Sequence, residues 1–138
     1  DTRKVAVGND SRITAGELVA AFEKGAAESG AEVFYTGLSS TPSMFMILQD
    51  KGRAYDGSVM VTASHLPADR NGLKFFTPEG GLEGGDVDEI LEIAAKGVVT
   101  EGKGGGHGDY FMDEYSAQLA ERVRKAWGSE SRLKARRL

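Results

Sequence analysis

An alternation of strand-like and helix-like hydrophobic patterns constrains the fold of this chain more than any other feature. Short apolar segments rich in β-branched and aromatic residues, typical of buried strands, occupy residues 4–8, 31–36 and 58–62. Between them, after Thr14 and after Thr41, apolar residues recur at the spacing of a helix. Strands that alternate with helices form right-handed βαβ units around a parallel sheet. The pattern therefore predicts an α/β fold with three layers, α/β/α.

A fourth strand is predicted at residues 73–76, which read LKFF. The connection from the third strand is too short to contain a crossover helix, so this strand should run antiparallel at the edge of the sheet. The sequence thus predicts a mixed, mostly parallel sheet of about four strands. Thr14 and Glu17 fit a capping box at the first helix, and Thr41 followed by Pro42 marks the start of the second.

Glycine marks the boundaries in the second half of the chain. A helix with a capped start at Asp86 completes a folded domain that we place at residues 1–100. Residues 101–108 are rich in glycine and are predicted to be a flexible linker. An amphipathic helix follows at residues 109–128, and residues 129–138 form a basic tail.

Composition and charge argue against several classes of function. The chain has 138 residues, a net charge of −4 and a pI near 5.2, so it lacks a basic field suited to nucleic acid or an anionic membrane. It contains no cysteine and only two histidines, which argues against disulfides, thiol catalysis and a histidine-rich zinc site. No apolar run approaches the ~20 residues that span a bilayer, and no targeting segment is visible. We therefore expect no nucleic-acid or membrane partner and a cytoplasmic location, with a plastid as the alternative.

Polar residues follow each of the first three predicted strands. Residues 10–12 follow the first strand, residues 37–40 the second, and Ser64 with His65 the third. Because parallel strands deliver their following loops to one edge of the sheet, these groups should lie close together. The antiparallel fourth strand begins at the same edge and brings Lys74 back towards Ser64. No G-x-S-x-G elbow surrounds this serine, so it must be activated or modified in another way.

Four segments resemble, in order and spacing, motifs of the α-D-phosphohexomutases. TASHLPADRNGLKFF, residues 62–76, resembles the serine loop of that family, whose usual form is T-A-S-H-N-P followed by N-G-x-K. VAVGNDSR, residues 5–12, resembles V-x-V-G-x-D-S-R, and LSSTP, residues 38–42, resembles L-x-x-T-P. GGLEGGDVDEI, residues 80–90, is similar to the segment that follows the serine loop. The resemblance identifies residues 1–100 as the first domain of a phosphoglucomutase or phosphomannomutase type of enzyme, incomplete at its amino terminus. It also implies that the helix at residues 109–128 is the connector to a second domain.

The resemblance implies that Ser64 carries a phosphate and exchanges it with a hexose phosphate through a bisphosphate, interconverting hexose 1-phosphate and hexose 6-phosphate. It implies Mg²⁺ held through the phosphate on Ser64 and by aspartates of a second domain, with hexose 1,6-bisphosphate as activator. Lys74 matches the lysine that would stabilise charge or transfer a proton, and His65 matches the histidine beside the serine. Arg12 would position the serine loop or the phosphate, and Asn71 would shape the return of the loop. The implied partners are a phosphosugar and the remaining domains, without which the segment alone is expected to be inactive.

Each of these assignments has a structural alternative. His65 could be a hydrogen-bonded residue with no catalytic role. Lys74 could lie on the solvent face of an edge strand. Arg12 could pair with Asp10 or Asp69 instead of contacting phosphate. The sequence leaves these alternatives open.

Two other functions compete with the mutase hypothesis. Leu66 stands where the usual motif has Asn, so one polar contact of the loop is expected to be missing. This favours a truncated or degenerate, non-catalytic binding or assembly module of the same fold. A serine hydrolase that uses Ser64 and His65 would lack an acidic residue to orient the histidine. His107 lies among glycines with no second ligand nearby, and no function is predicted for it.

Overall fold

The computed structural model describes residues 2–97 and 101–127. Its first half alternates strands and helices, in the order β1 (Lys4–Asn9), α1 (Ala15–Glu28), β2 (Glu32–Leu38), α2 (Thr41–Met46) and β3 (Gly57–Val61). The later elements are β4 (Leu73–Thr77), β5 (Gly80–Gly81), α3 (Gly84–Lys96), β6 (Gly106–Gly108) and α4 (Met112–Trp127). A 3₁₀ turn, Ile47–Gln49, directly follows α2. The alternation predicted from hydrophobic periodicity is confirmed.

The strands form a mixed sheet with the spatial order β5-β4-β3-β1-β2-β6. β1 runs parallel to both β2 and β3, and β6 runs parallel to β2. β4 is antiparallel to β3, as predicted, with Leu73 opposite Val61 and Phe76 opposite Ser58. The loops that leave β1, β2 and β3 therefore share one edge with the start of β4. We call this the carboxyl edge of the sheet.

Helices cover both faces of the sheet, which confirms the three-layer α/β/α class. Side chains alternate between the faces along each strand, so Val7 and Val59 point to one face while Ala6 and Met60 point to the other. On the first face, the strand valines pack against α1. On the second, the core includes residues from α2, the 3₁₀ turn, the segment before β3 and the α4 region: Met44, Ile47, Leu48, Tyr55, Phe111 and Tyr115. Full burial of a side chain such as Ile47 stabilises the fold by about 1.5–3 kcal/mol.

The sheet has six strands where about four were predicted. Beyond β4 the chain turns at once and forms β5, a two-residue strand antiparallel to β4, so β4 is not the outermost strand. At the opposite edge, β6 pairs with β2 through Gly106 opposite Val33 and Gly108 opposite Tyr35. Both added strands are too short to show a period-2 hydrophobic pattern, which is why sequence periodicity missed them.

The assignment of residues 101–108 to a flexible linker is wrong, because this segment packs against the turn between α1 and β2 and ends in β6. The amide of Gly104 donates to the carbonyl of Ala27 over 2.8 Å, and the amide of Val33 donates to the carbonyl of Gly105 over 2.8 Å. A Cβ on Gly104 would lie 1.9 Å from the carbonyl oxygen of Ala31. Glycine is needed here for close backbone approach, not for flexibility.

All three predicted helix starts differ in detail. The third helix, α3, begins at Gly84 and not at Asp86, whose carboxylate accepts the amide of Glu83 over 3.0 Å. Thr14 precedes α1 but makes no side-chain cap, so the capping box expected with Glu17 does not form. The cap of α2 is Ser40, one residue before the expected Thr41; its hydroxyl accepts the amide of Ser43 over 3.3 Å. A capping position is set by the backbone dihedrals of a single residue, and neighbouring hydroxyls compete for it.

A cluster of polar side chains anchors the start of α4. The guanidinium of Arg53 donates to both carboxylate oxygens of Asp109, over 2.7 and 3.1 Å, and to Glu114 over 2.9 Å. The hydroxyl of Tyr55 donates to Asp109 over 2.6 Å. The guanidinium carbon also lies 4.9 Å from the ring centre of Phe111. The helix predicted at residues 109–128 is therefore attached firmly to the domain at its first turn.

The basic tail predicted at residues 129–138 lies outside the described residues. Across residues 2–97 and 101–127, no helix is both long enough and apolar enough to cross a membrane.

Candidate functional site

Ser64 lies at the carboxyl edge, three residues beyond the end of β3, with its side chain exposed. Its φ of 55° is in the left-handed region, which is uncommon for a residue with a side chain and costs roughly 1–2 kcal/mol. The amide of Ser64 donates to the hydroxyl of Thr62 over 3.0 Å. Thr62 itself is buried, and its amide donates to the carbonyl of Gly72 over 2.9 Å. The loop thus presents the serine in a held, strained conformation.

Lys74 lies beside Ser64, as the antiparallel geometry predicted. Its ammonium donates to Oγ of Ser64 over 2.8 Å, and both residues are exposed. The pairing of β3 with β4 sets this contact, because Met60 is opposite Lys74 and the loop between the strands folds back over that point. An exposed hydroxyl with an ammonium next to it can hold an anionic group esterified to the serine.

The side chain of Arg12 holds the serine loop by hydrogen bonds to backbone carbonyls of that loop. One guanidinium nitrogen, Nη1, donates to the carbonyls of Leu66, Pro67 and Arg70 over 2.8, 2.7 and 3.0 Å. The other, Nη2, donates to the carbonyl of Ser64. The side chain is only 8% exposed. Most of the N–H donors of the Arg12 guanidinium therefore bind carbonyls of the loop.

Asp10 fixes the direction of Arg12. Its carboxylate accepts from Nε of Arg12 over 2.9 Å, from the Arg12 amide over 3.2 Å and from the Thr62 hydroxyl over 2.6 Å. Partial burial favours the protonated form of Asp10. The hydrogen bonds from Thr62 and Arg12 and the positive charge of Arg12 favour the carboxylate more strongly, so the pKa of Asp10 lies below its ordinary value. Of the two ion-pair partners considered for Arg12, the structure pairs it with Asp10.

His65 and Asn71 are not drawn into the contact between Ser64 and Lys74. His65 is exposed and makes no hydrogen bond to any of the described residues. The amide nitrogen of Asn71 donates to the hydroxyl of Thr14 over 3.2 Å, which ties the return of the loop to the start of α1. Asn71 therefore shapes the loop in this structure and has no direct contact with the serine.

Leu66 enters the loop through its main chain. Its amide donates to the carbonyl of Ala63 over 3.0 Å and its carbonyl accepts from Arg12, while the residue as a whole is 52% exposed. The described hydrogen bonds of the loop thus need no polar side chain at this position. His107, for which no function is predicted, hydrogen-bonds to Glu32 and stacks on Phe34, with ring centres 4.8 Å apart.

Sequence reasoning missed Thr62 as part of the site. The available signal was its position two residues before Ser64, where a threonine hydroxyl can accept a backbone amide in a local turn.

The arrangement around Ser64 also bears on the hydrolase alternative. The amide of Ser64 is already engaged by Thr62, and no acidic residue hydrogen-bonds to His65 within residues 2–97 and 101–127. Neither an oxyanion donor at this amide nor an oriented base is in place for acyl transfer.

Comparisons with known proteins agree on one family. The family model described as phosphoglucomutase/phosphomannomutase, alpha/beta/alpha domain I, matches residues 1–99. A phosphoglucosamine mutase from Corynebacterium jeikeium is 34% identical over 113 residues, which cover 82% of this chain and 25% of that protein. Another from Caldicellulosiruptor bescii is 34% identical over 89 residues, covering 64% of this chain and 19% of that protein.

A solved structure shares the fold. It is the crystal structure of a phosphoglucomutase/phosphomannomutase family protein from Burkholderia thailandensis, with a TM-score of 0.74 and 27% sequence identity. The match covers 82% of this chain and 26% of that chain. The chain therefore belongs to the phosphoglucomutase/phosphomannomutase family, the α-D-phosphohexomutases, and matches the first domain of that family. It spans about a fifth to a quarter of the length of these relatives.

Proposed function

We propose that this chain is the phosphoserine-bearing domain of a phosphohexomutase and that Ser64 carries the phosphate. The observation that supports the proposal most directly is the ammonium of Lys74, 2.8 Å from the Ser64 hydroxyl at an exposed edge of the sheet. Transfer would break the bond between phosphorus and Oγ of Ser64 as phosphorus bonds to a hydroxyl oxygen of a hexose phosphate. The sugar hydroxyl loses its proton and Oγ regains one.

The hexose bisphosphate formed in that step would reorient and return its other phosphate to Ser64. The net reaction interconverts hexose 1-phosphate and hexose 6-phosphate. Phosphoryl transfer gains mainly from positioning and charge neutralisation, so the serine does not have to be a strong nucleophile. A phosphorylated Ser64 would therefore need no nucleophile elbow around it.

Lys74 would neutralise part of the phosphate charge. A phosphoserine carries about −1.5 to −2 charges near neutral pH and needs nearby cations or donors. In the proposed transfer, Lys74 stabilises the charge that develops on Oγ as the phosphate leaves, and it is placed to supply the proton that Oγ takes up. Arg12 is assigned to shaping the loop, since its guanidinium donates to carbonyls of the loop. Asn71 is assigned the same role, since its side chain ties the return of the loop to Thr14.

Mg²⁺ fits this site through the phosphate. Oxygen atoms of phosphates and carboxylates are the ligands that it prefers, and a phosphate on Ser64 would supply one. Within the described residues, no group of three or more His, Asp or Glu side chains is placed to hold a metal ion. Its remaining ligands would therefore come from outside residues 2–97 and 101–127. Bound there, the ion would withdraw charge from the transferring group.

The relatives suggest which sugar to test first. Both proteins compared above are named phosphoglucosamine mutases. We propose an amino-hexose phosphate as the first candidate substrate, ahead of glucose and mannose phosphates, with the corresponding hexose 1,6-bisphosphate as activator.

The test measures phosphate on Ser64. The chain is incubated with glucosamine 1,6-bisphosphate and Mg²⁺ and followed by intact-mass analysis, both alone and extended to the length of its relatives. We expect one added phosphoryl group, absent in Ser64→Ala and retained in Ser11→Ala, since Ser11 is an exposed serine in the loop of Arg12. An extended chain that takes up no phosphate would favour the non-catalytic binding module. Labelling of Ser64 by a fluorophosphonate would favour the hydrolase.

A further inference from the structure

We propose that Asp10 is a positioning residue for Ser64, acting through Thr62 on one side of the serine and through Arg12 on the other. This inference rests on the function proposed above. Asp10 does not touch Ser64, but both partners of its carboxylate do. It therefore acts on the phosphate-bearing residue at one remove.

The first arm, meaning the first of the two hydrogen-bonded connections from Asp10 to Ser64, is the hydroxyl of Thr62. Asp10 determines the direction in which that hydroxyl donates. A carboxylate only accepts hydrogen bonds, so the single proton of the Thr62 hydroxyl is committed to Asp10, over 2.6 Å. A lone pair of the same oxygen is then free to accept the amide of Ser64, over 3.0 Å. Thr62 is only 5% exposed, so water has little access to compete for either bond. Without the carboxylate, the hydroxyl is free to rotate.

The second arm runs through Arg12. Nε of Arg12 donates to Asp10 over 2.9 Å, which fixes the plane of the guanidinium. Nη2 of that fixed plane then donates to the carbonyl of Ser64. Asp10 thus controls the partner of the Ser64 amide and the partner of the Ser64 carbonyl together.

Holding both peptide groups is what a strained residue requires. The φ of Ser64 is 55°, a conformation that persists only where the surroundings impose it. Relaxation of either arm would allow the backbone to rotate and move Oγ away from the ammonium of Lys74, which now lies 2.8 Å from it. Displacements of this kind at a reacting oxygen lower rates strongly without removing any group that touches the substrate.

The experiment combines hydrogen exchange with transfer kinetics. Four variants are compared with the wild type: Asp10→Asn, Thr62→Val, the double variant, and Thr62→Ser, which keeps the hydroxyl. Exchange of the Ser64 amide is followed by NMR on the unphosphorylated chain. The rate and KM of Ser64 phosphorylation by hexose 1,6-bisphosphate are measured on the extended chain. Asp69→Asn serves as matched control, because Asp69 is an exposed aspartate of the loop that carries Ser64.

We expect Asp10→Asn and Thr62→Val each to speed exchange of the Ser64 amide by about tenfold and to slow transfer by about tenfold, with KM changed less than about twofold. The double variant should be no worse than the poorer single variant, since the residues act in series. Thr62→Ser should stay within about threefold of the wild type, and Asp69→Asn should match it.

Three results would overturn the inference: unchanged exchange of the Ser64 amide in Asp10→Asn, faster exchange with no loss of transfer rate, or effects that multiply in the double variant. If Asp10→Asn fails to fold, Thr62→Val decides by the same two measurements. Exchange needs no phosphate, so it separates the two proposals. A wild-type chain that never takes up phosphate defeats the proposed function, whereas a phosphorylated wild type with a normal Asp10→Asn defeats only this inference.

Discussion

Replacement of Lys74 by methionine tests the charge contact at the centre of the site. The ammonium lies 2.8 Å from Oγ of Ser64, so a phosphoryl group on that oxygen would place negative charge within contact distance of it. Two unit charges about 4 Å apart interact by about 1 kcal/mol in water and by about 4 kcal/mol at the effective dielectric constant of a protein surface. Because both residues are exposed, we take the lower part of that range, about 1–2 kcal/mol.

This magnitude predicts a slowing of phosphoryl transfer by about 5- to 30-fold in Lys74→Met, since 1.36 kcal/mol corresponds to a factor of ten. The rate is followed as phosphate accumulating on Ser64 by intact-mass analysis. A second readout is the ³¹P titration of phospho-Ser64. Its second pKa, about 6 for a free phosphoserine, should lie higher in Lys74→Met than in the wild type because a neighbouring positive charge has been removed.

Two controls sharpen the prediction. Lys24→Met removes the same charge from the exposed surface of α1 and should leave both readouts unchanged. Raising the salt concentration to about 1 M, where the Debye length falls to about 3 Å, should narrow the difference between wild type and Lys74→Met. If Lys74→Met transfers phosphate within twofold of the wild-type rate and titrates identically, the cationic role assigned to Lys74 is wrong.

Three further predictions concern stability. Arg12→Met should lower the free energy of unfolding by about 3 kcal/mol, because it leaves loop carbonyls and a carboxylate without their donor. Gly104→Ala should destabilise by about 3 kcal/mol through the backbone clash described above, whereas Gly25→Ala, inside α1 with open space around it, should stabilise by about 0.5–1 kcal/mol. Hydrogen bonds from Arg53 hold the pKa of Asp109 below its usual value, against the effect of partial burial. Its contribution to stability should therefore be present above about pH 4 and should be lost as the pH falls through the folded-state pKa.

Denaturant unfolding measures all three. Arg124→Met, an exposed arginine of α4, is the control for Arg12 and should be neutral; equal effects of the two would contradict the loop assignment. Equal effects of the two glycine substitutions would contradict the close approach of residues 101–105 to the domain. For Asp109, the stability difference between wild type and Asp109→Asn should be constant from about pH 6 to pH 8 and should shrink in acid. A difference that grows in acid would show that the sign is wrong.

The presence and direction of the first four strands could be predicted because each depends on local information. Hydrophobic spacing distinguishes strands from helices, and the length of the segment between β3 and β4 excludes a crossover. The approach of Lys74 to Ser64 follows from those facts alone. The prediction therefore reached the central pair of the site through topology, without any knowledge of side-chain directions.

The remaining features depend on contacts between distant residues. β6 is a strand only because Glu32–Leu38 offers it an edge, and its glycines by themselves suggest a loop. The grip of Arg12 on the loop depends on where the carbonyls of residues 64–70 point, which no pattern in the sequence records. The hydroxyl of Thr14 does not cap α1 as expected. It accepts a hydrogen bond from the side chain of Asn71 instead, a residue 57 positions away. Composition describes what a segment can do in isolation, and tertiary partners decide what it does.

The antiparallel pairing of β3 with β4 makes the serine and the lysine close neighbours along the chain as well as in space. They are separated by only ten positions and lie on one hairpin, residues 57–77. A protein engineer could therefore move this pair to another scaffold as one continuous cassette replacing an existing hairpin. The graft would need two additions from the loop that follows the adjacent parallel strand: a guanidinium that reaches the serine loop, as Arg12 does here, and a carboxylate that orients it, as Asp10 does. Any sheet edge that offers those two neighbours is a candidate host.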